Sequence, residues 1–155
     1  MKKINLAISG CMGRMGQQLI KSCKQKKNFK LVALTENKLV NKKFNGIKPE
    51  INSDKAFKKT DVIIDFTVPN CTLEILNIAS KLKKKVVIGT TGFDRYQENQ
   101  IKKYSKEIPI LKAGNMSLGV NLLMYLTEIA SKSLNDKSNP SIKKFFEKAK
   151  SFWKN

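Results

Sequence analysis

Three glycines at every third position, Gly10, Gly13 and Gly16, with Cys11, Met12, Arg14 and Met15 between them, form the segment best suited to chemistry. Small residues let a backbone approach a phosphate closely, and free amides at the start of a following helix hold an anion with help from the helix dipole. The spacing is GxxGxxG rather than the usual GxGxxG, and a tight turn with close helix packing gives the same pattern. Glu36 stands 20 residues after Gly16. An acidic side chain there suits the hydroxyls of an adenosine ribose, and a solvated loop glutamate is the plain alternative. Asn37 and Lys38 follow, and Lys38 offers a cation to a ribose 2′-phosphate. Two further loops, Gly89-Thr90-Thr91-Gly92-Phe93 and Gly114-Asn115-Met116-Ser117-Leu118-Gly119-Val120-Asn121, are small and polar. They fit the ligand edge of a sheet, and equally well ordinary strand-to-helix turns with caps.

Other chemistries are excluded by composition. The 155 residues contain no histidine, which removes imidazole acid–base catalysis, histidine triads and histidine-ligated metals. The three cysteines, Cys11, Cys23 and Cys71, show no CxxC spacing, so neither a disulfide framework nor a zinc site is expected, and a cytosolic setting fits. A helix start would lower the pKa of Cys11, but no base stands beside it, and a small residue filling the loop is the better reading. Asp65, at a strand end, is expected to cap or fix a loop rather than act as a base. No catalytic residue and no metal ligand is assigned. Basic residues number 31 against 12 acidic, a net charge of +19, and only Arg14 and Arg95 are arginine. The lysines are spread along the chain and asparagine is abundant, so the charge reads as compositional bias rather than a nucleic-acid patch.

Hydrophobic patterning supplies the elements that would position these residues. Residues 4–9, 29–35, 61–66, 86–88 and 108–112 read as buried strands. Residues 15–26 read as a helix with Met15, Leu19, Ile20 and Cys23 on one face. A second helix over 69–84 turns Leu73, Leu76, Ile78 and Leu82 inward. A polar helix over 96–106 carries Ile101 and Tyr104. A long helix over 118–134 has Leu122, Leu126, Ala130 and Leu134 spaced by four. The polar stretch 36–59, with Gly46 and Pro49, is expected to form loops with one short strand and one helical turn. Strands alternating with helices predict an α/β, doubly wound parallel sheet with ligands beyond the carboxyl ends of its strands. One domain is expected over 1–134. After the breaker cluster 135–140, residues 141–155 are expected to form a basic amphipathic helix with Ile142, Phe145, Phe146, Ala149, Phe152 and Trp153 on one stripe; packing of that stripe onto the domain is the first reading, with a disordered tail or an anionic-surface contact as the alternatives. No run of 18 apolar residues exists to span a bilayer, and the short apolar start reads as a strand rather than a signal peptide.

The GxxGRMG of Gly10 to Gly16, Asp65-Phe66-Thr67, the GTTG of Gly89 to Gly92 and the NMSxGVN of Asn115 to Asn121 occur together and in order. As a set they closely resemble the amino-terminal domain of the dihydrodipicolinate reductase (4-hydroxy-tetrahydrodipicolinate reductase) family, over about residues 1–134. The resemblance implies a Rossmann-like fold. It also implies reduction of a cyclic dicarboxylate by NADH or NADPH, on the diaminopimelate route to lysine in the bacterial cytoplasm. It implies that Gly10, Cys11, Met12, Gly13, Arg14 and Met15 hold the pyrophosphate and that Glu36 binds the adenosine ribose. Asn37 stands where the family often carries an arginine facing the 2′-phosphate, which leaves coenzyme preference to Lys38. Gly89, Thr90 and Thr91, with Ala113, Gly114, Asn115 and Met116, would line the nicotinamide side; the family often has phenylalanine at the position of Met116.

The family's second domain binds substrate, supplies a His-His motif with a nearby lysine, and builds a tetramer. Nothing after Leu134 resembles it. The chain therefore reads as a truncated member that binds a nicotinamide dinucleotide and lacks the tetramer interface. It would meet the dicarboxylate substrate only if the missing domain is supplied, and is expected to be inactive alone. Neither a nucleic-acid nor a membrane partner is expected. The alternatives are a dinucleotide- or anionic-surface-binding module without catalysis, or one half of a split reductase.

Overall fold

A computed structural model describes residues 3–38 and 40–133, together with residues 144 and 147. The chain falls into two units, Met1–Lys112 and Ala113–Asn155. The first unit begins with β1 (Ile4–Ser9), α1 (Arg14–Gln25) and β2 (Phe29–Thr35). It continues with α2 (Asp54–Phe57), β3 (Val62–Asp65), α3 (Pro69–Lys81), β4 (Lys85–Ile88), α4 (Arg95–Tyr104) and β5 (Ile110–Lys112). The strands lie in the order β2-β1-β3-β4-β5, and every neighbouring pair is parallel. The chain moves from β1 to β2 on one side, then crosses to β3 on the other. The carboxyl ends of β1 and β3 therefore open into the crevice where such sheets bind ligands.

Successive strand residues feed two cores, as the two-residue period of a strand requires. Ala7, Ala33, Ile63, Val86 and Ile88 join Phe57, Ile75, Leu76, Ala79 and Ile101 of α2, α3 and α4. Ile8 and Leu34 join Cys11 and Ile20, with Leu19 and Cys23 at the margin under α1. Two buried faces explain why the strands read as continuous apolar runs.

Several expectations shift in detail. Met15 is exposed rather than inward, because it lies in the first turn of α1, beyond the end of β1. The buried stripe of α3 is Thr72, Ile75, Leu76 and Ala79. Leu73, Ile78 and Leu82 only flank it. The hydrogen bond from Thr72 to Asp65 draws that side of the helix to the sheet. β5 starts at Ile110 because Pro109 has no amide to give; its carbonyl accepts from the Val86 N–H at 3.0 Å.

The stretch 36–59 contains a single parallel bridge, between Thr35 and Glu50, and the one-turn helix α2, whose N-cap Ser53 accepts from the Ala56 N–H at 3.2 Å. Between them, Phe44 and Ile47 exchange backbone hydrogen bonds of 2.8 and 2.9 Å across Asn45-Gly46, both at positive φ. That dipeptide is the one such tight turns demand.

The second unit contains α5 (Leu118–Ser133). Asn115 Oδ1 accepts from the Ser117 N–H at 2.9 Å, and Asn115 Nδ2 donates to Asn121 Oδ1 at 3.2 Å, so the NMSxGVN segment closes onto the first turn of the helix. Leu122 and Leu126, which share the expected stripe, are exposed. Leu134 and the expected tail helix fall outside the described residues, apart from Lys144 and Glu147, which are helical.

Candidate functional site

The glycine segment links β1 to α1 at the crevice. Thr35 O, at the end of β2, accepts from the Gly10 N–H at 3.0 Å and the Cys11 N–H at 3.3 Å, and Gly10 O accepts from the Gly13 N–H at 3.1 Å. The three glycines do different work. Gly10 sits at φ +74°, and a Cβ there would lie 2.3 Å from Phe66 O. A Cβ on Gly16 would lie 2.3 Å from Gly10 O and 2.7 Å from Cys11 Cα. Both are demanded by the packing of the turn. Gly13 is exposed, in ordinary extended backbone, and its Cβ would meet nothing closer than 3.3 Å. Of the two readings the spacing allows, tight packing accounts for Gly10 and Gly16, while Gly13 stays open to a ligand.

Gly13 is also the N-cap of α1, and it supplies no capping side chain. Helix geometry leaves the amides of Arg14, Met15 and Gly16 without intrahelical acceptors. No acidic residue stands in the first turn, and both Arg14 and Met15 are exposed. A bare, solvent-facing helix start with an arginine on it is an anion site by its electrostatics.

Glu36 closes the other side. Its Oε2 accepts from the Met12 N–H at 3.0 Å and its Oε1 from the Asn37 N–H at 3.1 Å. The strand end thus places the acidic side chain directly against the glycine loop. Asn37 and Lys38 are exposed beyond it.

Cys11 is fully buried under the loop. Loss of solvation, reinforced by the negative charge of Glu36, pushes its thiol up to about 11. At pH 8 only about one thiol in a thousand would be ionised, so the folded chain should resist iodoacetamide at Cys11 and react there only once denatured. Peptide mass spectrometry after timed alkylation reads this directly, and rapid labelling in the folded state would contradict it.

The β3 and β4 loops are tied together by Asp65. Its Oδ1 accepts from Thr67 N–H (3.1 Å) and Thr67 Oγ1 (2.6 Å), and its Oδ2 from Thr72 Oγ1 (2.5 Å) and Thr90 Oγ1 (3.2 Å). The Thr67 N–H also donates to Thr90 Oγ1 at 2.9 Å. Burial raises the carboxyl pKa, and the hydroxyl and amide donors pull against it. The described ion pairs, Lys112–Glu98 and Lys132–Glu128, do not involve it. Asp65 therefore fixes loops. Phe66, beside it, wedges between them, with its carbonyl against Gly10 and its ring where a Cβ on Gly89 would lie, 2.2 Å from Cε1.

The structure thus gathers Gly10 to Met15, Glu36, Asn37, Gly89, Thr90 and Thr91 at one edge of the sheet. Thr90 turns its hydroxyl inward and is buried, while Thr91 is exposed. Ala113, Gly114, Asn115 and Met116 belong to the second unit. Sequence reasoning assigned no role to Phe66, Thr67 or Thr72. Their signal was the Asp65-Phe66-Thr67 run and a threonine on the apolar side of a helix. Among the described residues no group of three acidic or cysteine side chains could hold a metal ion, and no helix is long and apolar enough to cross a membrane.

An open parallel sheet, with a glycine turn and bare helix start at its switch point and an acidic side chain at the end of the adjoining strand, defines the Rossmann class of domains. Within that class, the chain belongs to the dihydrodipicolinate reductase family: the family model "Dihydrodipicolinate reductase, N-terminus" matches residues 4–116. The 4-hydroxy-tetrahydrodipicolinate reductase of Pelagibacter ubique (strain HTCC1062) is 78% identical over 136 residues, covering 88% of this chain and 53% of the relative. That of Rickettsia bellii (strain OSU 85-389) is 38% identical over 133 residues, covering 86% of this chain and 50% of the relative. The dipicolinate-bound dihydrodipicolinate reductase from Paenisporosarcina sp. TG-14 superposes with a TM-score of 0.66 at 25% identity, over 83% of this chain and 54% of that one. The chain spans about half the length of the curated relatives it matches.

Proposed function

We propose that this chain binds a nicotinamide dinucleotide, NADH or NADPH, and is the coenzyme-holding half of a 4-hydroxy-tetrahydrodipicolinate reductase of the lysine (diaminopimelate) pathway, acting in the cytoplasm. The observation that carries this reading is the bare start of α1, with Gly13 open to approach, set beside Glu36 at the switch point of the sheet. The amides of Arg14 and Met15 and the Arg14 guanidinium would hold the pyrophosphate, and Glu36 would accept hydrogen bonds from the adenosine ribose. Gly89 and Thr91 lie on the same edge, toward the nicotinamide; Thr90 acts from behind, through Asp65 and Thr67. The bound coenzyme supplies a hydride. The His-His motif from which the family's proton donor and carboxylate clamp are expected is not supplied by this chain, which has no histidine.

General acid catalysis typically contributes about 10²–10⁴-fold, so turnover by the chain alone should be negligible. Calorimetric titration with NADH and NADPH tests the reading, with Glu36→Ala and Gly13→Asp as controls. Saturable binding lost in both variants is the expected result, and the tighter ligand reports whether Lys38 reads a 2′-phosphate. A well-folded chain that binds neither coenzyme would defeat the proposal.

A further inference from the structure

We propose that Glu36 is also a positioning residue for the glycine loop: its carboxylate latches the Met12 amide and so holds the loop in the shape that receives pyrophosphate. The proposal rests on the dinucleotide reading and goes beyond it. The amides of the loop can be accounted for one by one. Those of Gly10 and Cys11 donate to Thr35 O, and that of Gly13 donates to Gly10 O. All three are fixed by backbone. The Met12 N–H, at the middle of the loop, donates instead to a side chain 24 residues away, Glu36 Oε2, at 3.0 Å. The carboxylate is itself held in place. Glu36 N–H donates to Glu50 O at 3.0 Å, and Glu36 Oε1 accepts from the Asn37 N–H at 3.1 Å.

The parallel bridge at Glu50 thereby acquires a purpose: it anchors the strand end that carries the latch. One oxygen can stay on Met12 while the other meets a ribose hydroxyl, so ribose recognition and loop order act through one group. A 2′-phosphate set against that carboxylate would place two anions face to face and pull the latch open, which handicaps the phosphorylated coenzyme.

The test separates loss of the acceptor from loss of the charge. Glu36→Gln keeps an acceptor oxygen and drops the charge; Glu36→Ala drops both. The probe is 2′,3′-dideoxy-ADP, which has no ribose hydroxyls for Glu36 to recognise. With the latch, the alanine variant binds it about threefold to tenfold more weakly than the glutamine variant, as the net value of one hydrogen bond implies. Equal affinities would overturn the proposal.

A second measurement needs no ligand. Amide hydrogen exchange at Met12, followed by NMR, should be slow in the native chain and in Glu36→Gln, and about tenfold faster in Glu36→Ala with its neighbours unchanged. Exchange indifferent to residue 36 would overturn the latch. Protection that follows the acceptor in a chain that binds no nucleotide would uphold the latch and defeat the dinucleotide reading.

Discussion

Gly10→Ala should cost this fold about 3–5 kcal/mol and Gly16→Ala about 2–3, whereas Gly13→Ala should leave stability within about 1 and weaken dinucleotide binding instead. The same chemical change is made at three positions six residues apart at most, and the surroundings decide the outcome. At Gly10 two penalties add. The left-handed backbone, φ +74°, costs an L-residue about 1–2 kcal/mol. The new methyl also meets Phe66 O at 2.3 Å, and that atom is backbone at the end of β3, with no rotamer to relieve it. At Gly16 the obstacle is again backbone, Gly10 O and Cys11 Cα, so α1 must move off the turn, at a typical overpacking cost of about 1–3 kcal/mol. At Gly13 the backbone is ordinary, and on this exposed residue the methyl meets only Gly10 O, at 3.3 Å, a contact that a shift of a few tenths of an ångström relieves. Urea unfolding gives the three stabilities, and calorimetry on the Gly13 variant gives the binding loss. A Gly13→Ala chain that unfolds as readily as Gly10→Ala would show that all three glycines serve packing, and the site argument would lose its open face.

How much of this was legible beforehand follows from which distances matter. The strands announced themselves as apolar runs because a doubly covered parallel sheet buries both faces, and the glycine segment and Glu36 stand at strand ends that the same runs mark. The division of labour among the glycines was not legible. The part of Gly10 depends on Phe66, a residue 56 positions beyond it, whose carbonyl reaches back across the switch point, and that of Gly16 on how the helix start folds back onto Gly10 O and Cys11 Cα. The rotation of α3 about its axis has a similar cause. Leucines suggested the buried stripe, but Thr72 faces in because Asp65 receives its hydroxyl, and a helix turned by a polar contact cannot be read from hydrophobic spacing. The bridge at Glu50 is one residue long, too short to carry a strand pattern. The thiol of Cys11 shifts opposite to what a helix start would do, because the residue lies ahead of α1 and is buried, with the charge of Glu36 beside it. In each case local pattern located the element, and a long-range contact set its orientation.

Asp65→Ala should lose about 2–4 kcal/mol and loosen the Gly89-Thr90-Thr91 loop, while Asp65→Asn should lose about 1 or less at neutral pH. Alanine leaves a cavity and strips a shared acceptor from three buried or half-buried threonines. Some compensation exists. The Thr67 N–H keeps Thr90 Oγ1 at 2.9 Å, and Thr72 Oγ1 has Val68 O at 3.3 Å, so the loss falls short of four full hydrogen bonds. Asparagine retains one acceptor oxygen for Thr67, and its amide can donate to Thr72 and Thr90 once their hydroxyls rotate. Asparagine also isolates the charge. Burial raises the Asp65 carboxyl pKa in the folded chain above its ordinary value. The folded state therefore binds this proton more tightly than the unfolded state does. The stability from that preference is complete below the ordinary carboxylate range and is lost as pH rises through the folded pKa. Relative to Asp65→Asn, which cannot titrate, the native chain should gain stability as pH falls from 7 toward 4. Urea midpoints of the two chains at several pH values measure the difference. A native chain that instead gains over the asparagine variant as pH rises would mean that the threonine donors outweigh burial and hold the carboxylate ionised. The loops over the crevice would then be organised by a permanent buried charge held by Thr67, Thr72 and Thr90.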